Sequence, residues 1–324
     1  MPGVPLVTAN VYERMAGNIC NGTNGDLCFV ALFNVAYSSA ISAMKTKAGT
    51  MKTRQHRKKK TMAEKADRHV LYEKSVQNVA EEYKFVSKTF RKLRGRRPRH
   101  VREDFCGTAS MCCEWVGRSK KNTAIGVDVD PEVLAWGRKH NLSRLKPDAR
   151  LRISLLQEDV CKVNTAEPVD VVLAMNFSYQ LFMTRKKLGG YFRKVREALA
   201  SDGILFMDAF GGYEAYREIK EKRKYKGFKY TWEHASYNPI DGNMLCHIHF
   251  GFPDGSKLKK AFTYDWRLWS LPELRELLDE AGFSKVTVYW EDTDPKTGEG
   301  AGVYSPATVG DADPGWVCFL VAEK

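Results

Sequence analysis

The chain has 324 residues, 43% of them hydrophobic, and a formal net charge of +13. It is long enough for one large core with an elaboration. The charge does not mark the whole chain as a nucleic-acid binder: Lys45 to Arg99 holds 19 Lys and Arg against 5 Asp and Glu, leaving the remainder close to neutral. Eight cysteines, Cys20, Cys28, Cys106, Cys112, Cys113, Cys161, Cys246 and Cys318, form no C-x-x-C pair and no regular spacing. That pattern argues against a zinc site or a disulfide framework and for a reducing, cytoplasmic compartment.

Residues 1 to 61 fit three readings: a basic leader with no fixed fold, a weak membrane anchor, or sequence upstream of a start at Met51 or Met62. The apolar run Leu27 to Met44 contains Asn34 and three serines, and its basic flank follows it, unlike a secretory signal. The polar content and the run Arg57-Lys58-Lys59-Lys60 favour the leader. Residues 62 to 100 form a helical lead-in, with Val70, Leu71, Val76, Val79, Phe85, Val86, Phe90 and Leu93 in helical spacing. Strand and helix then alternate: strands over 101–105, 123–127, 151–156, 169–175 and 204–208, with helices over 109–116, 131–140 and 186–200. Such alternation predicts a parallel sheet covered on both faces.

After Gly211-Gly212 the rhythm changes to three strand-like runs, 228–237, 244–252 and 257–268, separated by turn signals. This predicts an antiparallel insertion at about 212–268. A helix over 271–281, strands over 286–290 and 316–321, and a polar loop over 292–314 complete a seven-stranded sheet in a domain running from 101 to 324.

The chemistry concentrates in Glu103-Asp104-Phe105-Cys106-Gly107-Thr108-Ala109 and Gly126-Val127-Asp128-Val129-Asp130-Pro131. An acid near the end of a strand, a small-residue turn into a helix, and an acid 21 residues beyond Gly107 suit a nucleoside, because small residues let backbone approach the ligand and the second acid accepts ribose hydroxyls. The absence of a full G-x-G-x-x-G disfavours a nicotinamide dinucleotide.

This run resembles motifs I and II of the class I, Rossmann-like S-adenosylmethionine-dependent methyltransferases. The likeness extends over roughly 101 to 210 through Glu158-Asp159-Val160 and Met175-Asn176-Phe177-Ser178-Tyr179. The chain departs from the family in having Phe105 and Ala109 where glycine is usual. The resemblance implies S-adenosylmethionine as cofactor, held by Glu103, Gly107, Asp128 and Asp159, with Asn176 near its methionine end. It implies no metal and no catalytic triad, since the sulfonium is already activated.

Acceptor-side candidates are Tyr179, Asp208, Tyr213, Arg267 and Trp269; His247 and His249, at i and i+2 of one strand, are candidate catalytic groups with Asn176. By analogy Tyr72 reaches over the cofactor. The insertion, with Leu271-Pro272-Glu273-Leu274 and Glu280-Ala281-Gly282-Phe283, resembles small-molecule N- and O-methyltransferases, and residues 62 to 324 resemble a bacterial group described only by class. The expected partner is a small polar acceptor and not a membrane. Two alternatives stand beside it: an RNA or DNA methyltransferase using the basic stretch as an arm, and a non-catalytic scaffold. Strand four lacks the Asn/Asp-Pro-Pro-aromatic and Pro-Cys signatures of nucleic-acid base methylation.

Overall fold

Helix starts are set by side chains that satisfy the first unpaired backbone N–H groups. Thr61 and Glu64 form a capping box on α1 (Met62–Lys65), and Asp67 accepts from His69 and Val70 at the start of α2 (Arg68–Ser75). Helix α3 (Val79–Arg94) has Glu81 and Glu82 in its first turn, Arg91, Lys92 and Arg94 in its last, and ends on Gly95 at φ 68°, all complementary to its dipole and C-terminus. The computed structural model describes residues 59–296 and 300–324. The apolar run Leu27 to Met44 and the leader through Lys58 lie outside the described residues. Among the described residues no helix is long and apolar enough to cross a membrane.

The body follows as β1 (His100–Asp104), α4 (Ser110–Arg118), β2 (Thr123–Asp128), α5 (Pro131–His140), α6 (Pro147–Arg150), β3 (Ile153–Gln157), β4 (Val169–Ala174), α7 (Arg185–Ala198) and β5 (Leu199–Gly211). The insertion is β6 (Lys220–Tyr225), β7 (Phe228–Tyr237), β8 (Asn243–Gly251) and β9 (Lys257–Arg267), and the chain closes with α8 (Leu271–Glu280), β10 (Lys285–Thr293), β11 (Gly300–Ala307) and β12 (Trp316–Glu323). One sheet has the order β11-β10-β12-β5-β4-β1-β2-β3, parallel from β3 to β5 and antiparallel beyond; the other is β6-β7-β8-β9, antiparallel throughout.

Two strands differ from the sequence expectation. The main sheet has an eighth strand, β11, inside the stretch read as a polar loop, and the insertion has a fourth, β6. Both are edge strands. β11 contains Pro306, tolerated where no neighbour needs its N–H, and β6 reads Lys-Glu-Lys-Arg-Lys-Tyr, the charged composition that protects an edge.

Apolar cores fill both faces of the main sheet, one around Tyr191, Phe192, Leu277 and Leu320, the other around Phe90, Trp115, Leu173 and Phe206. A third joins the insertion to the body through Trp232, Ile248, Tyr264 and Trp266 against Phe177, Phe210 and Tyr72. Part of the basic lead-in is consumed in this assembly. Arg94 pairs with Glu323 at 2.5 Å, and Arg96 bridges Asp170 at 2.7 Å and Asp202 at 2.8 Å, tying α3 to the starts of β4 and β5.

Candidate active site

The turn after β1 is left-handed at alternate residues: Phe105 (φ 58°), Gly107 (φ 52°) and Ala109 (φ 57°). A non-glycine residue there costs about 1–2 kcal/mol, and packing must offset it. The Phe105 ring lies 5.7 Å from that of Tyr191, and Ala109 is fully buried. Beneath the turn, Arg102 Nε and Nη2 donate to the Asp104 carboxylate at 2.8 Å each, and Tyr191 Oη donates to the same group at 2.8 Å, all fully enclosed. Gly137 of α5 permits the close packing above it, since a Cβ there would stand 2.5 Å from the Thr108 carbonyl oxygen. A Cβ on Gly107 would meet nothing within 4 Å, so the turn faces open space at that point.

Asp128, ending β2, accepts the Gly107 N–H at 2.8 Å and the Asp130 N–H at 3.0 Å, one on each oxygen, and burial pushes its carboxyl up to about 6. Glu103 accepts from the Cys112 amide at 3.1 Å and is pushed up to about 7, again by burial. Asp159, partly exposed after β3, accepts from the Cys161 amide at 2.9 Å. Beyond β4, Asn176 (φ 65°) and Phe177 (φ 58°) form a second strained turn. Both of its N–H groups donate to Asp208 of β5 at 2.8 Å, while Asn176 Oδ1 is buried with no hydrogen-bond partner. These groups meet at the carboxyl ends of the parallel strands, where the strand order reverses between β1 and β4, the place open α/β sheets bind ligands.

The N-terminal helices and the insertion cover this end. Glu73 Oε1 accepts from Thr108 Oγ1 at 2.8 Å and Asn141 Nδ2 at 2.6 Å, which docks α2 on the turn, and Tyr72 sets its ring edgewise on Phe262 at 5.0 Å. Along β7, β8 and β9 alternate residues point inward, with Trp232, Cys246, Ile248 and Tyr264 in the shared core.

Several acceptor-side expectations need correction. His247 and His249 lie on the opposite, outer face of the insertion sheet, because Cys246 and Ile248 between them take the inward positions. His247 Nδ1 meets Thr263 Oγ1 at 3.0 Å; His249 Nε2 meets Glu233 at 2.6 Å. Arg267 stacks on Trp269 at 3.7 Å, pairs with Glu273 at 3.0 Å and donates to the Met183 carbonyl, so its guanidinium joins β9 to α8. Trp269 is buried, with Nε1 donating to the Phe182 carbonyl at 3.1 Å. Asp208 has each oxygen engaged by the Asn176-Phe177 turn and acts as its brace. Tyr179 is fully enclosed in the core with Ala174 and Met207, whereas Tyr213 is 59% exposed.

Two buried groups near this end were not singled out from the sequence. His234 of β7 is on the inward face, 6.4 Å from the Phe210 ring, and neither ring nitrogen has a side-chain partner; burial pushes it down to about 4. Glu82 of α3 is pushed up to about 8 by burial, then by the charges of Asp208 and Glu103, and its Oε1 has no partner. Strand parity could have flagged His234; nothing local distinguishes Glu82 from an exposed helical glutamate.

A strand-order reversal tipped with acids, left-handed turns after β1 and β4, and an antiparallel cover are arranged as in the Rossmann-like methyltransferase sheet that the sequence resembles. Residues 104–207 match the family model described as a methyltransferase domain. That match spans 104 of the 324 residues, and over that stretch the chain is similar to a methyltransferase domain.

Solved structures share the fold at low identity. A sugar N-methyltransferase from Streptoalloteichus sp ATCC 53650 aligns with a TM-score of 0.55 at 15% identity over 89% of this chain and 99% of that one. An S-adenosylmethionine-dependent methyltransferase from Clostridium acetobutylicum ATCC 824 aligns with a TM-score of 0.55 at 14% identity over 76% and 92%. An amino pentose methyltransferase from Micromonospora echinaspora, involved in calicheamicin biosynthesis, gives 0.53 at 15% identity over 76% and 91%. No curated protein matches the sequence.

Proposed function

We propose that this protein transfers the methyl group of S-adenosylmethionine to a nitrogen or oxygen of a small polar acceptor in a reducing, cytoplasmic setting. The carrying observation is the Asp128–Gly107 bond at the strand-order reversal. Each Asp128 oxygen holds one backbone N–H and retains a lone pair, which suits two ribose hydroxyls. Open space before Gly107 and the unpartnered Asn176 Oδ1 suit the methionine end. Glu103 and Asp159 complete the cofactor set, and Val129, 45% exposed beside Asp128, offers an apolar surface to the adenine.

The bound cofactor supplies an activated methyl group. The protein's work is to align the acceptor, exclude water and take up a proton. Asp208 fixes the Asn176-Phe177 turn, and the inward aromatic face of the insertion lies over it. His234, kept neutral by burial, can orient the acceptor through a ring nitrogen. The sugar N-methyltransferase and the amino pentose methyltransferase that share the fold support a nitrogen nucleophile on a polar small molecule. The structural use of Arg94 and Arg96 removes these two from a nucleic-acid arm.

Calorimetric titration with S-adenosylmethionine and with its demethylated product tests the site. Asp128→Ala is expected to weaken both by about 1–3 kcal/mol, roughly 5- to 150-fold, by stranding buried hydroxyls. Unchanged affinity in a folded variant would remove the assignment, and binding without turnover on any amine or hydroxyl acceptor would favour a scaffold. His234→Ala is expected to lower turnover while leaving cofactor affinity intact.

A further inference from the structure

The outer face of the insertion sheet carries a groove of about 790 Å³ whose cationic lining is six lysines, Lys220, Lys222, Lys224, Lys229, Lys257 and Lys259, with His249 and a single acid, Glu233. The acid is already engaged, by Lys220 at 2.7 Å and His249 at 2.6 Å. His249 Nδ1 accepts the Lys260 N–H at 3.0 Å, so the ring is part of the groove's framework.

Strand register arranges the remaining cations. Lys224 stands opposite Lys229, Lys229 opposite Gly251, and Gly251 opposite Lys257, giving a row across four strands. A Cβ on Gly251 would meet nothing within 4 Å, so the middle of that row is an open floor. Lys220, Lys222 and Lys224 repeat every second residue along β6, about 6.8 Å apart. Like charges placed directly opposite destabilise a sheet, and no carboxylate among the lining residues offsets the Lys224, Lys229 and Lys257 row. Edge protection accounts for the lysines of the edge strands β6 and β9 but not for Lys229 on the inner strand β7, and a bound polyanion would relieve the repulsion along the row.

We propose that this groove binds the phosphodiester backbone of single-stranded nucleic acid without reading its sequence. The line of lysines along β6 forms a positive track of the kind that follows the backbone of a single strand. The cationic lining is lysine without arginine, which suits point-charge contact with phosphates. A flat anionic membrane cannot follow a concave floor, and the volume seats a few nucleotides of one strand, not a duplex. The groove lies on the face of the insertion sheet opposite the one that packs on Phe177 and Phe210.

The test is fluorescence anisotropy of a labelled 12-nucleotide oligouridine with the full chain, titrated from 50 to 200 mM salt. Lys222→Glu with Lys257→Glu is expected to weaken binding at least tenfold and to reduce the magnitude of the salt slope by about 1.4, while Lys186→Glu with Lys187→Glu, the same charge change on α7, leaves it nearly unchanged. Should either charge reversal unfold the chain, the corresponding alanine pairs carry the same comparison. Equal losses in both double variants, or none in either, would overturn the proposal. So would binding that survives in the groove variant but disappears on reversing Arg57 and Lys58 to Lys60, or stronger binding to phosphatidylserine vesicles or hexaglutamate than to the oligonucleotide.

Discussion

The parallel strands β1 to β5 are covered on both faces, so ligand-facing groups can emerge only at their ends; the insertion sheet has two unlike faces, and each side chain falls on one or the other by parity. In the first region Glu103, Gly107, Asp128 and Asn176 reach a common end because each sits at or near the carboxyl end of its strand. In the second, one residue of shift separates the inward aromatic set of Trp232, His234 and Tyr264 from the outward lysines. A residue's functional reach is thus set by position along the strand in one sheet and by odd or even position in the other.

The comparison can be broken most forcefully beneath the β1 turn. Asp104→Ala strands the enclosed Arg102 guanidinium and is expected to cost about 3–5 kcal/mol in urea unfolding; a loss below 1 kcal/mol would mean that the turn does not depend on its foundation. Gly137→Ala forces a Cβ against Thr108 and is expected to cost about 1–3 kcal/mol, with cofactor affinity falling alongside stability because the turn itself must shift.

A pH titration separates binding from folding. Ribose contacts need ionised Asp128, so cofactor affinity should be full above about pH 7 and fall as pH drops through about 6, approaching tenfold per unit. Glu82, Glu103 and Asp208, pushed up to about 8, 7 and 7, bind protons more tightly folded than unfolded. Their contribution to stability therefore increases as pH falls from about 8 towards 5 and diminishes as it rises through that window. Affinity that stays constant from pH 8 to pH 5 would exclude Asp128 from ribose binding. Ala109→Gly relieves a left-handed alanine and should stabilise by about 0.5–1 kcal/mol, read as a rise in Tm. The smallest effect is expected at the outer face: His247→Asn should leave methyl transfer unchanged, and a large loss of turnover there would refute the division between faces.

Much of the architecture was legible in the sequence because hydrophobic periodicity and turn residues are local signals. The alternation from Val101 to Asp208 and the turn signals of the insertion show the parallel sheet and the antiparallel cover. The edge strands were hidden because charges in β6 and Pro306 in β11, which protect an edge, also resemble loop composition. Phe105 and Ala109 looked like losses from a glycine turn, yet both adopt the left-handed backbone that glycine favours, with burial offsetting the strain.

By itself, the sequence determined the order of strands and helices and the acids at or near strand ends, since those depend on spacing along one chain. Only the tertiary structure decided that Asp208 braces a turn, that Arg267 joins β9 to α8, that His234 faces inward and that six lysines share an outer groove. Each of these outcomes depends on which groups from distant segments compete for the same carboxylate, ring or face, a competition settled when the sheets pack.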